Sequence, residues 1–98
     1  MDDVRDSMRV PWRVDARVDG RIVQLWDIST TGVRVWGIET ARGERHKIEI
    51  PGPDGPQQFD VETVWASGVM AGMKFLFGSG EERSAIWDLR TLVARGKL

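Results

Sequence analysis

VPWRVDARVDGRIVQLWDI, Val10 to Ile28, carries two superposed periods. Arg5, Arg9, Arg13, Arg17 and Arg21 recur every fourth residue, which suits one face of a helix or one face of a strand. Pro11 argues against a helix interior, because it lacks the N–H and crowds the preceding turn. The apolar set settles the matter. Val10, Trp12, Val14, Ala16 and Val18 alternate with Arg13, Asp15 and Arg17, the signature of a half-buried strand. Asp19-Gly20 is a two-residue hairpin turn of the type that needs positive φ, and Arg21 to Ile28 is the return strand. In such a hairpin, positions summing to about 39 face each other. Arg9 then lies near Thr30 and Trp12 near Asp27.

The same grammar continues along the chain. STTG is a turn, Val33 to Ile38 a third strand, ETARGE a polar loop and His46 to Ile50 a fourth strand. Pro51 to Pro56 (PGPDGP) cannot continue a ladder. In Gln58 to Trp65, Phe59, Val61, Thr63 and Trp65 alternate with Asp60 and Glu62, and Val69 to Phe77 is an apolar strand. The period then changes. Ser79 and Glu82 form a capping-box pattern, and Ala85, Ile86, Leu89, Leu92 and Val93 make one stripe at helical spacing that ends near Gly96. The reading is mainly all-β: a six-stranded antiparallel β-barrel over 9–77 with one C-terminal α-helix over 80–95 on an open side or end, preceded by a poorly ordered arm over 1–8.

A chain of 98 residues suits one domain with a modest core. Without cysteine it has neither disulfides nor a thiolate zinc site, and it shows no membrane-length apolar run and no signal peptide, so a cytoplasmic location is expected. Net charge −1 argues against bulk attraction to DNA, RNA or anionic membrane. The one histidine, His46, reads as a surface residue between Arg45 and Lys47, with no triad or metal-ligand spacing around it. No phosphate-cradling glycine motif precedes a helix. The expectation is a protein without catalysis and without a cofactor.

The chemistry concentrates in WDISTTG, Trp26 to Gly32. The hairpin brings the arginines of RDSMR beside this turn, so guanidinium forks meet a carboxylate, a hydroxyl and a glycine at one rim. Two readings are open. In one, Asp27 pairs with an arginine and Ser29 bonds its own turn backbone. In the other, an arginine reads the O6/N7 edge of guanine or clamps phosphate, and Asp27 accepts from the N1 and N2 donors. Gly32 then supplies positive φ or a close approach to the ligand.

RDSMR followed by a Val-Pro step, then DISTTG after a hairpin, resembles the PilZ domain family, whose signature is RxxxR followed by [DN]xSxxG. VETVW and GMKF are similar to that family's later strands. The resemblance implies a six-stranded barrel that binds cyclic di-GMP, with Arg5 and Arg9 gripping guanine and phosphate and Asp27, Ser29 and Gly32 forming the second half of the site. Val4 stands where many binding members carry another arginine, and Arg9 to Arg13 (RVPWR) is a second RxxxR match, so Arg13 is a further candidate. Trp65 is a candidate to stack on a base, while Trp12, Trp26, Trp36 and Trp87 read as core or seam residues. Three functions compete: a stand-alone cyclic di-GMP receptor that acts through a protein partner, a PilZ-type adaptor of pilus or motility machinery that binds no ligand, and a barrel for single-stranded nucleic acid. Net charge and the lack of a basic-aromatic strand face weigh against the third.

Overall fold

The computed structural model describes residues 8–98. The arm over 1–8 falls outside these residues except for Met8, and Arg5 lies outside them as well. The elements are β1 (Val10–Val18), β2 (Arg21–Ile28), β3 (Gly32–Trp36), β4 (Arg45–Ile50), β5 (Gln57–Ser67), β6 (Met70–Phe75) and α1 (Gly80–Ala94). The strands close into an antiparallel barrel in the order β1-β2-β3-β6-β5-β4. This is the six-stranded barrel with a C-terminal helix that the alternation and the change of period predict. β3 and β6 are shorter than expected. Gly37, at φ 106°, takes the chain out of β3, and the Gly37 and Ile38 amides turn to the Val69 carbonyl.

The first hairpin forms as its sequence requires. Asp19 and Gly20 both have positive φ, 52° and 85°. The predicted register holds from Val18↔Arg21 to Val14↔Leu25 and then slips by one, so that Pro11, not Trp12, faces Asp27. The β2–β3 ladder slips at the same place, between Leu25 and Asp27, leaving Trp26 as the extra residue. A bulge of this kind reverses the in-out phase beyond it. Val23 and Leu25 point into the core, and strict alternation would send Asp27 after them. The bulge instead pairs Asp27 with Arg34 and turns Ile28 inward. A second bulge, between Thr63 and Trp65, does the same in β5: Thr63 is buried, and Trp65 is paired with Gly72 and 39% exposed.

The β1–β4 seam is the weak join, with only Arg17↔Glu49 and Val18↔Ile48 paired. Helix α1 lies against β1 and seats Ile86, Leu89 and Val93 in the same core as the strands. Ser79 caps it by accepting from the Glu82 amide at 3.2 Å. The Glu82 carboxylate reaches back to the Gly78 amide, one residue beyond the reciprocal bond of a capping box.

The tryptophans meet the core-or-seam expectation only in part: Trp36 and Trp87 depart from it. Trp12 is in the core. Trp26 is the bulged residue and is half-buried beneath the Arg13 guanidinium, 4.1 Å from its ring centroid. Trp36 points outward, because Val33 and Val35 take the inward phase of β3. Trp87 is also exposed, one position off the stripe through Ile86, Leu89 and Val93.

Candidate functional site

The bulge at Trp26 puts Asp27 where two arginines converge. One oxygen accepts from Arg9 Nη1 at 3.0 Å, and the other accepts from Arg34 Nε at 2.6 Å and also pairs with Arg34 Nη2. The Asp27 side chain is 6% exposed, against 38% for Arg9 and 41% for Arg34. The carboxylate is therefore a buried anchor with its oxygens in use, and the guanidiniums are the groups offered to solvent. The Asp27 hydrogen bond also holds the Arg34 guanidinium above its ordinary pKa, against the opposing effect of burial. No motif in the sequence marks Arg34: its role depends on the slipped β2–β3 register, which nothing in its own neighbourhood announces. Arg13 stands apart from this pair on the Trp26 ring.

Ser29 is fully buried and bonded within its own turn. Its hydroxyl accepts from the Thr31 amide at 3.2 Å and the Gly32 amide at 3.1 Å, and its amide donates to the Gly32 carbonyl at 2.8 Å. The Phe75 amide donates to the Thr31 carbonyl and ties the turn to the end of β6. Gly32 is needed for space, not for positive φ: a Cβ there would run into the Met73 carbonyl oxygen of β6. The close approach expected at this glycine is thus to the neighbouring strand.

Beside the turn lies a cavity of about 150 Å³ lined by Arg9, Thr31, Gly32, Trp65, Gly72 and Lys74, among others. It brings Arg9, Gly32 and Trp65 together, while Asp27 and Ser29 sit behind it as supports. Lys74, which belongs to no sequence motif, adds a cation to its rim; it is the outward residue of β6 opposite Gly32.

The other end of β2 holds a second polar cluster. His46 is not the surface residue expected. It shares the inward phase of Ile48 and Ile50, and its side chain is 11% exposed. Its Nδ1 lies 2.7 Å from Asp19 and its Nε2 2.8 Å from the Thr40 hydroxyl, which meets buried Thr63 at 2.9 Å. The cluster fastens the first hairpin turn and the β3–β4 loop to β4 and β5. Among the described residues no group of His, Asp and Glu could hold a metal ion, and no helix is long and apolar enough to cross a membrane.

No family model matches the chain, and no curated protein matches it in sequence. Solved structures do match. The PilZ domain of CeSA from a cellulose synthesizing bacterium superposes with a TM-score of 0.68 at 16% identity, covering 92% of this chain and 97% of that one. The Bacillus subtilis inhibitor of motility, MotI/DgrA, gives 0.68 at 15% identity over 96% of this chain, which spans about half (52%) of that protein. The fold is that of the PilZ domain.

Proposed function

We propose that this PilZ-fold chain is a cyclic di-GMP receptor, a binding module that passes its signal to a protein partner by ordering its N-terminal arm. The observation that carries the reading is Arg9: its guanidinium is pinned by buried Asp27 and faces the cavity that Trp65 and Lys74 also line. A pinned fork suits the O6/N7 edge of guanine, where both ligand atoms accept. Adenine presents an N6 donor at that place and meets a donor with a donor. Arg5 completes the pair by resemblance. Asp27 acts through Arg9 as a positioning residue, and Ser29 and Gly32 hold the turn that forms the cavity edge.

Calorimetric titration with cyclic di-GMP and cyclic di-AMP tests this. A preference for the guanine ligand of about 5- to 150-fold is expected from one bidentate base contact. Equal affinity for the two ligands removes the guanine-reading role of Arg9. The adaptor reading is favoured by one observation, the internal satisfaction of Asp27 and Ser29, and heatless titrations with both ligands would leave it standing in place of the receptor.

A further inference from the structure

The hydroxyl of Thr40, in the β3–β4 loop, meets three polar groups at once. Glu44 Oε1 lies 2.9 Å away, His46 Nε2 2.8 Å and the Thr63 hydroxyl 2.9 Å. A hydroxyl has one proton to give and two lone pairs to receive with. The Thr40 proton goes to Glu44, because an ionised carboxylate only accepts. Thr40 must then accept from both Thr63 and His46. Thr63 is fully buried, where a hydroxyl has to place its proton on a partner, and Thr40 is the partner it meets. The third proton has to come from Nε2 of His46.

The other ring nitrogen is committed as well. Nδ1 lies 2.7 Å from Asp19 Oδ2, while Asp19 Oδ1 accepts from the Lys47 amide at 2.9 Å. The Asp19 carboxyl sits below its ordinary pKa, so it is an acceptor near neutrality and Nδ1 must donate to it. A ring that donates from both nitrogens is an imidazolium. Two carboxylates face it from different elements: Asp19 from the β1–β2 turn, and Glu44 from the loop, 3.7 Å from Nε2. The cations nearby are engaged with acids. Lys47 holds Asp60, Arg45 holds Glu62, and Arg21 acts on Asp19.

With a neutral ring the proton count fails. Three contacts at Thr40 then share two protons, and one pair has to part. Thr63 is fixed in β5 and the His46 side chain is 11% exposed, whereas Glu44, at 53%, can turn to water. We propose that His46 is a proton-operated latch on the β3–β4 loop: as an imidazolium it holds Asp19 through one nitrogen and, by way of Thr40, Glu44 through the other, and loss of the Nε2 proton releases Glu44 and the segment around Thr40. An imidazole exchanges its second proton near neutrality. The latch is therefore closed on the acid side and opens as pH rises. The bonds from the Gly43 amide to the Thr63 carbonyl and from the Thr63 amide to the Glu44 carbonyl do not depend on the ring, so opening is confined to the loop and leaves the barrel closed.

His46 is the only histidine in the chain, so its ring signals are unambiguous. The test is a pH titration of the full chain without ligand, following the two ring nitrogens by NMR and amide hydrogen exchange over residues 39–44, in the wild type, Glu44→Gln and His46→Gln. In the wild type both nitrogens should be protonated at the acid end, and Nε2 should lose its proton while Nδ1 keeps its own. Protection of the loop, corrected for the intrinsic rise of exchange with pH, should fall about 2- to 10-fold over the same interval, the worth of one hydrogen bond. In Glu44→Gln the new amide can donate the missing proton to Thr40, so the loop should stay protected on both sides of the titration. His46→Gln has no proton to lose and should show no step. A wild-type ring that is neutral at about pH 5 overturns the latch, and so does a ring that titrates with loop protection unchanged. A step that persists in Glu44→Gln overturns it too, because the loosening then has a cause other than the missing proton. Should His46→Gln fail to fold, the wild type and Glu44→Gln still decide.

Discussion

Asp27 separates holding from reading. A carboxylate with 6% of its surface exposed that bonds two guanidiniums costs the fold its desolvation and returns two charge-assisted contacts. The arginines are exposed enough to rehydrate if it is lost, so Asp27→Ala should lower unfolding free energy by about 1–3 kcal/mol. Arg9→Ala leaves Asp27 its bonds to Arg34 and should cost less than about 1 kcal/mol. Urea denaturation of the two variants checks the order. An Asp27→Ala protein as stable as the parent would mean that the arginines are not anchored there. A rim location alone implies little effect at either position unless the two residues pair, and they do pair. For binding studies Arg9→Ala is therefore the cleaner probe, because it removes the ligand-facing group with the smaller disturbance to the fold.

The β1–β2 hairpin has its own electrostatic tie at the far end. Asp19 accepts from the Lys47 amide at 2.9 Å and contacts His46 Nδ1 at 2.7 Å. Partial burial pushes its carboxyl pKa up, but the Lys47 amide and His46 outweigh that, and the net value lies below the ordinary one. A folded-state pKa below the unfolded one stabilises the fold at pH above the unfolded value, and the benefit is lost as pH falls through the folded value. The wild type should therefore exceed Asp19→Asn in stability near neutrality and converge on it below about pH 4. Screening at a side chain 52% exposed keeps the difference under about 1 kcal/mol. Asparagine tolerates the positive φ at this position, so the comparison isolates the charge. A difference that stays constant from neutrality to about pH 3 would assign the tie to shape and not to ionisation. This turn is readable from Asp19-Gly20 alone, and so are the strands on either side, because period two and turn chemistry are local signals. The bulges are not. Trp26 and Val64 carry no mark of being the extra residue, yet each reverses the phase of the residues after it. Hence the meeting of Arg9 with the DISTTG turn is legible, while the support from Arg34, the packing of Trp65 over Gly72 and the place of Lys74 are not: each depends on a register that only the closed barrel defines.

Closure also determines how a ligand at the rim could be felt elsewhere. The β1–β4 seam has two paired positions, and α1 lies against β1. Arg90, on that helix, donates from Nε to the carbonyl of Met8 at 3.1 Å, immediately before Arg9. The chain leading to the proposed ligand arginines is thus bonded to the helix one residue ahead of the pinned guanidinium. If cyclic di-GMP engages Arg5 as well as Arg9, the segment between them must take up one course across the rim. Ordering about five residues costs roughly 5–10 kcal/mol of backbone entropy, which the charge-assisted arginine contacts have to offset. A chain beginning at Met8 should keep the barrel and helix, because the six strands, the helix and the Arg90 bond of the described residues lie within it, and should bind cyclic di-GMP more weakly. Hydrogen exchange at Val4 to Met8 should slow on ligand addition, accompanied by slower exchange in the turn of α1 that carries Arg90. Arm amides that exchange equally fast with and without saturating ligand would rule the arm out as the clamp. Slowing in the arm with no change in the helix would confine the response to the rim and leave α1 outside the signalling route.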